Sequence, residues 1–250
     1  MTSALRSALS RRRFLTSTGV ALLIAPAVSN GYARTITGLP WEPNAGDYPK
    51  PVVPGGWVFF TGDEGVAVEA IVDRLIPHDD LSVGGKEAGC AVYIDRQLAG
   101  SFGDSSWLYM RPPFAKGTPS QGMQSPVVPA QRFRTSLAAL DSYCKQTYSG
   151  KGFAALGADQ QDDLLKGLEA GKVQLPNVDG KAFFDLVLQS TMEGFFADPL
   201  YGGNKDMVSW KMIGFPGARY DYRDHISKHN QPYPNPPVSI TGRADWSVRS

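Results

Sequence analysis

Apolar residues recur along the chain at helical spacing in five separate segments. The first segment places four of them on one helix face: Val68, Ile71, Val72 and Leu75. Thr61 and Glu64 precede this face with the spacing of a capping box, in which each residue's side chain binds the other's backbone N–H. Pro77 ends the pattern, because proline cannot continue a helix. The segment therefore predicts a helix from about Thr61 to Pro77.

The other four segments predict helices at about Glu87–Leu98, Pro129–Tyr148 and Asp159–Glu169, and one that begins near Asp179 and ends before Pro199. The third helix carries one continuous apolar stripe: Phe133, Leu137, Leu140, Cys144 and Tyr148. The fifth is the most apolar, on a face of Phe184, Val187, Leu188, Thr191 and Phe195 widened by Phe183 and Met192. We expect the fifth helix to be central in a mainly α fold, a single compact domain of about five helices.

Glycine and proline are frequent, at 27 and 19 residues, and they concentrate between the helical segments. This predicts long ordered loops. Residues 34–60 have no periodicity and predict an extended lead-in anchored by aromatic residues: Trp41, Trp57, Phe59 and Phe60. The loop Gly103–Val128 is long enough to predict a functional role or the covering of another surface. We divide the chain into a leader at 1–33, the lead-in at 34–60, a helical domain at 61–217 and an irregular tail at 218–250.

The leader has the order of an export signal: basic residues, an apolar run and a small-residue site. Arg11 and Arg12 stand before Phe14 and Leu15, an arrangement typical of the twin-arginine type. The apolar run 20–28 is too short for a membrane anchor, which needs about 20 apolar residues. We therefore expect periplasmic localisation. As a class, such signals export proteins already folded, often with a cofactor or partner in place.

Charge changes this picture little. The leader holds four arginines and no acid, so the rest of the chain has 21 basic and 24 acidic residues. That balance does not favour nucleic acid or an anionic membrane surface as a partner. No later segment approaches the length of a membrane span, so we expect any membrane association to come through a partner.

Motifs for catalysis or cofactor binding are sparse. His78, Asp79 and Asp80 give too few ligands for a metal site, and His225 and His229 have no Glu or Cys to complete a zinc set. The chain has no CxxCH haem motif, no dinucleotide fingerprint and no Ser/His/Asp set in a recognisable context. We predict no catalytic residue, no cofactor site and no metal site in this chain.

The two cysteines, Cys90 and Cys144, would reach an oxidising compartment after export. Cys144 lies on the apolar stripe of the third helix, so a buried inert thiol and a disulfide are both compatible with its position. We hypothesise a bridge between Cys90 and Cys144, and a bridge from one of them to another chain is the alternative.

Several blocks in one order resemble the small subunit, subunit 3, of gluconate 2-dehydrogenase. They are the arginine signal, Arg74-Leu75-Ile76-Pro77 with Asp79-Asp80, Ala88-Gly89-Cys90 with Tyr93 to Leu98, Gly117 to Gly122 with Gln124-Ser125-Pro126, Asp198 to Asn204, Trp210, and Gly214 to Gly217. The resemblance covers about Thr61 to Gly217.

This resemblance implies a complex in which an FAD-dependent large subunit of the GMC type oxidises the sugar acid and a multihaem cytochrome c subunit passes electrons to quinone. FAD and haem c are then expected in the partners. The small subunit would be non-catalytic, would supply the signal, and would support export, assembly or stability of the large subunit at the inner membrane. The alternative is a self-sufficient periplasmic protein that binds a metal or a sugar acid.

Loops rich in aromatic residues and proline commonly bury against a partner, where Trp, Tyr and Arg contribute most of the affinity. Six loop residues are accordingly expected to contact the partner: Arg111, Phe114, Tyr201, Asn204, Trp210 and Phe215. Arg111 could instead pair with the carboxylate of a sugar acid.

Overall fold

Seven α-helices make up most of the regular structure in the described part of the chain. The computed structural model describes residues 52, 55–115, 117–121, 125–219 and 222–240. The helices are α1 (Gly62–Leu75), α2 (Cys90–Leu98), α3 (Ser101–Asp104), α4 (Pro129–Thr147), α5 (Ala158–Glu169), α6 (Gly180–Phe196) and α7 (Val208–Ile213). The mainly α fold predicted from the sequence is confirmed. Its five helices are α1, α2, α4, α5 and α6, and the short helices α3 and α7 were not predicted.

Helix α1 begins as its sequence predicts. The Thr61 hydroxyl accepts from the Glu64 N–H at 3.3 Å, and the Glu64 carboxylate accepts from the Thr61 N–H at 2.8 Å. This capping box satisfies two of the donors that a helix start leaves unpaired. Val68, Ile71 and Val72 are fully enclosed, so the apolar face faces the core.

Helix α2 begins at Cys90, three residues later than the periodicity predicts. Residues 85–89 form turns, and Gly89 caps the helix in the left-handed region with φ 84°. A Cβ at Gly89 would lie 2.7 Å from the carbonyl oxygen of Gly202. Both the backbone angle and the close approach require glycine, and neither is visible in a hydrophobic pattern.

Helix α6 is the central element, as predicted. It packs against α1, α2, α4 and α5, and it buries Phe183, Phe184, Val187, Thr191 and Phe195. The rings of Phe133 on α4 and Phe183 meet edge to face with centroids 6.1 Å apart. Met192, by contrast, lies on the solvent face of α6.

The described residues contain no helix long and apolar enough to span a membrane. Regular pairing outside the helices is limited there to two isolated bridges, an antiparallel one between Leu175 and Val178 and a parallel one between Gly217 and Val238. The second bridge joins the segment after α7 to the C-terminal tail.

Candidate functional site

The export-signal residues Arg11, Arg12, Phe14 and Leu15 lie outside the described residues. Within the described residues, the features that bear on function are two buried carboxylates, those of Asp95 and Asp198, and the surfaces exposed around them.

Asp95 on α2 binds the end of the lead-in. Its carboxylate accepts from the backbone N–H groups of Val58, Phe59 and Phe60 at 2.8–2.9 Å, and it pairs with the neighbouring Arg96. The Asp95 side chain is fully buried. A buried carboxylate is stable only when it is paired and hydrogen-bonded, and here the backbone of residues 58–60 supplies most of the donors.

Arg134 on α4 holds the same segment from the other side. Its guanidinium pairs with Glu64, donates to the carbonyl oxygen of Phe59 at 2.7 Å, and lies 4.2 Å from the centroid of the Phe59 ring. Burial alone would raise the pKa of Glu64, but the hydrogen bonds from Thr61 and Arg134 outweigh burial, so the pKa lies below its ordinary value. The lead-in is thus joined to α1, α2 and α4 at one point.

Asp198 has the corresponding role at the other end of the chain. Its carboxylate caps the short turn Pro199–Tyr201 through the Leu200 N–H at 2.9 Å. It also accepts from the Ser239 hydroxyl at 2.7 Å and from the Ile240 N–H at 2.8 Å. Because Asp198 itself is buried, these bonds fix the C-terminal tail to the helical core.

The Gly202-Gly203 pair allows the turn after α6 to lie directly on the helices. A Cβ at Gly203 would be 2.1 Å from the carbonyl oxygen of Gly194 on α6, closer than any real Cβ contact. Gly202 has φ 95°, in the left-handed region. The pair is therefore a packing feature of the turn and α6.

Asn204 and Trp210 were predicted to contact a partner, and the structure corrects both predictions. Asn204 is fully buried: its amide donates to the Ala197 carbonyl at 2.8 Å and its oxygen accepts from Ser209 at 2.8 and 3.0 Å. Trp210 is 6% exposed and its indole N–H donates to the Phe196 carbonyl at 2.9 Å. Both side chains connect α7 to the end of α6, which leaves no surface on them for another protein.

The other four predicted contact residues are exposed and lie in two places. Arg111 and Phe114 belong to the loop between α3 and α4, which we call the α3–α4 loop (residues 105–128). Tyr201 and Phe215 lie on either side of α7. Their contact with a partner stays a prediction.

The cysteines are free thiols in the structure, both buried, so it does not contain the hypothesised bridge. Cys90 stands at the first position of α2, which packs mainly on α6, and Cys144 lies near the end of α4, which packs mainly on α3. Burial raises the pKa of Cys90 to about 12 and that of Cys144 to about 11.

Two of the residues weighed as metal ligands, Asp79 and His225, have other tasks. Asp79 accepts from the backbone N–H groups of Leu81 and Ser82 at 2.8 and 2.9 Å, which forms a turn after α1. His225 packs on the ring of Tyr233 with centroids 4.8 Å apart. The part of the chain that the structure describes contains no group of three or more His, Cys, Asp or Glu side chains able to hold a metal ion.

Comparison with protein families gives a match over residues 62–217, to the family described as gluconate 2-dehydrogenase subunit 3. The chain belongs to the gluconate 2-dehydrogenase subunit 3 family. The resemblance inferred from the sequence blocks is thereby confirmed. Comparisons with curated proteins and with solved structures gave no significant match.

Membership of the subunit 3 family implies a multi-subunit dehydrogenase complex, in which this chain is an accessory subunit. Within the family match, the block Asp198–Asn204 builds the turn that packs on α6 and holds the tail. The block around Asp95 holds the lead-in. Both blocks thus have structural tasks in this chain.

Sequence reasoning did not identify the roles of Asp95 and Asp198. One signal for Asp95 was present: it follows Ile94 on the apolar face that Ala91 and Leu98 continue, where a carboxylate must have partners. Those partners lie 35–37 residues away for Asp95 and 41–42 residues away for the tail contacts of Asp198. Helical periodicity contains no information at that separation.

Proposed function

We propose that this chain is the non-catalytic small subunit of a periplasmic, membrane-associated flavoprotein dehydrogenase, and that it supports export, assembly or stability of the FAD-containing large subunit. In this proposal the large subunit is of the GMC type and binds FAD, and a multihaem cytochrome c subunit carries the electrons to the membrane. The twin-arginine signal of the small subunit would serve the complex as a whole.

The observation that carries the proposal is the division of side chains between interior and surface. Polar residues of the family blocks, such as Asp95, Asp198 and Asn204, are buried and bound to this chain's own backbone. Large apolar side chains are instead exposed on loops, including Trp107, Tyr109 and Phe215. Such a distribution suits a protein whose specific contacts are with another protein.

The order of basic, apolar and small segments in the leader supports co-export. Arg11 and Arg12 belong to a signal type that carries folded cargo. A large subunit that binds its flavin in the cytoplasm would need such a route, and a small subunit that binds it before export would provide one.

The test is to follow the large subunit when the signal of the small subunit is disabled. Arg11→Lys with Arg12→Lys should leave the large subunit and its dye-linked dehydrogenase activity in the cytoplasmic fraction. Arg6→Lys is the matched control, because Arg6 lies outside the arginine pair and should leave export unchanged. Large subunit that reaches the periplasm normally in the double variant would refute co-export.

A second measurement separates export from assembly. The two subunits are co-expressed in the cytoplasm and purified through a tag on the large subunit. Co-purification of this chain in a fixed ratio supports the accessory role even without export. Failure of the two chains to associate would contradict the proposed function.

A further inference from the structure

The α3–α4 loop forms a groove on the surface of the helical body. Residues 107–114 line it together with Gln121 and Ser125, and its volume is about 570 Å³. Trp107 is 66% and Tyr109 83% exposed, and Leu108 and Phe114 are each more than one-third exposed. Single exposed apolar residues are common on protein surfaces, but four large ones within eight residues on one groove indicate an interaction site.

Short-range hydrogen bonds form at both ends of the α3–α4 loop. At the start, the Leu108 N–H donates to the Ser105 carbonyl at 2.9 Å and the Ser106 N–H to the Asp104 carboxylate at 2.9 Å. At the end, the Val127 N–H donates to the Ser125 hydroxyl at 3.1 Å and Arg132 Nε to the Val127 carbonyl at 3.2 Å. Turns that are already formed at the ends of a loop reduce the conformational entropy that the loop loses when a partner docks.

Between Asp104 and Asp141, the sequence around the groove carries only basic charges. From Ser105 to Leu140 it contains no Asp or Glu, and its charged residues are all basic: Arg111, Lys116, Arg132 and Arg134. Arg134 already forms an ion pair with Glu64. Arg111 is exposed on the groove and forms no hydrogen bond or ion pair with the described residues. A ligand complementary to the groove would supply a carboxylate for Arg111 and apolar side chains for the aromatic walls.

A second groove, of about 290 Å³ between α4 and α6, lacks these properties. It is lined by charges of both signs, Arg132 and Asp179, and each already binds this chain. The charge and the aromatic lining thus distinguish the groove of the α3–α4 loop from this second groove.

We propose that the α3–α4 groove is the docking surface for an acidic, apolar segment of the dehydrogenase large subunit. Apolar side chains of that segment would pack on Trp107 and Tyr109, and its Asp or Glu would bind the Arg111 guanidinium. This inference rests on the proposed function, since it names the surface through which the accessory subunit acts. The walls are mainly Trp, Leu, Met, Pro and Phe, which suits a polypeptide better than a polyhydroxylated sugar acid that needs a hydrogen-bond partner for each hydroxyl.

The experiment measures binding of the full chain to the purified large subunit for the wild type and two groove variants. Trp107→Ala with Tyr109→Ala removes the apolar contacts, and Arg111→Glu reverses the groove charge. Each should raise the Kd about tenfold or more. The wild-type Kd should also rise with salt, and that salt dependence should weaken in Arg111→Glu.

Matched controls are exposed residues outside the groove. Ile226→Ala removes an apolar side chain that is 69% exposed, and Lys172→Glu reverses an exposed charge. Both should bind as the wild type does. Thermal melting of every variant should match the wild type, because none of the substituted side chains is buried, so a loss of binding cannot come from unfolding.

The outcomes separate the two proposals. If the wild type binds and the groove variants bind equally well, the groove assignment is overturned and the accessory role stands. If the wild type does not bind the large subunit, the accessory role fails and the groove assignment fails with it. A gluconate-induced rise in the melting temperature of the isolated chain that Arg111→Glu abolishes would overturn protein docking in favour of a small-molecule site.

Discussion

The helical framework around α6 and the α3–α4 loop distribute their side chains in opposite ways. In the framework, buried polar groups such as Asp95 and Asn204 bind this chain's own backbone, and the aromatic rings of Phe133 and Phe183 pack on each other. In the loop, Trp107 and Tyr109 face solvent and Arg111 binds no described residue. Substitutions in the framework should therefore change stability, whereas substitutions in the loop should change binding.

The largest effect on stability is expected for Asp95→Asn. The amide cannot accept from all three backbone N–H groups of residues 58–60, and its own NH₂ would face donors in a buried site. Breaking a buried, charge-assisted network of this kind costs about 3 kcal/mol. The free energy of unfolding from urea titration measures it.

Asp80→Asn is the matched control, because Asp80 is exposed on the bend after α1. It should change the free energy of unfolding by less than about 0.5 kcal/mol. Equal stability of the two variants would show that the hydrogen bonds of Asp95 do not stabilise the framework. The expected difference between the framework and the loop would then not hold for this site.

The next largest loss of stability is expected for Gly203→Ala. The new Cβ would meet the Gly194 carbonyl oxygen at 2.1 Å, so the turn must move away from α6. Overpacking against backbone costs about 2 kcal/mol. Gly62→Ala is the control, since nothing lies within 4 Å of a Cβ there, and its melting temperature should equal or exceed that of the wild type.

A smaller effect should depend on pH. The pKa of Glu64 lies below its ordinary value of 4.5 in the folded chain, so its stabilisation is complete above pH 4.5 and is lost as the pH falls through the lower folded value. The loss is about 0.5 kcal/mol for a pair that is partly exposed. Melting temperatures between pH 6 and pH 3 should show it.

Glu64→Gln should flatten the acid side of that profile, whereas Glu87→Gln, an exposed control, should leave its slope unchanged. If the melting temperatures of the wild type and Glu64→Gln fall in parallel as the pH is lowered, protonation of Glu64 does not contribute to the loss of stability in acid.

The last prediction concerns the chemical reactivity of the two cysteines and not the stability of the chain. With pKa values of about 12 and 11, the thiols of Cys90 and Cys144 are neutral at pH 8 and buried, so neither should react with dithionitrobenzoate in the native chain. After denaturation in urea without reductant, two thiols should react. Zero thiols in that sample, and two only after reduction, would establish the bridge.

The sequence allowed prediction of those features that depend on neighbouring residues. The apolar faces of α1 and α4 and the Thr61–Glu64 capping box follow from spacings of three and four residues, and the structure confirms them. Helix α7 is six residues long and preceded by left-handed residues, so it has too little periodicity to be recognised. Its Trp210 therefore looked like a surface aromatic residue.

The candidate functional residues also fall into two groups, those whose exposure the sequence predicts and those whose burial it does not. Phe114 and Arg111 could be recognised as exposed, because a long proline-rich loop has no helix face in which to bury them. Asn204 could not be recognised as buried, because its partners are the Ala197 carbonyl and Ser209, which the turn of Gly202-Gly203 brings around it. Close backbone approach decides that geometry, and only the folded chain shows it.

The hydrogen bonds of the two buried carboxylates, Asp95 and Asp198, also indicate where the folding unit ends. The family match covers residues 62–217, but Asp95 binds residues 58–60 and Asp198 binds residues 239 and 240. A fragment cut at the limits of the match would keep both buried carboxylates and remove most of their donors. The shortest autonomous domain should therefore include at least residues 58–240, which is more of the chain than the family match covers.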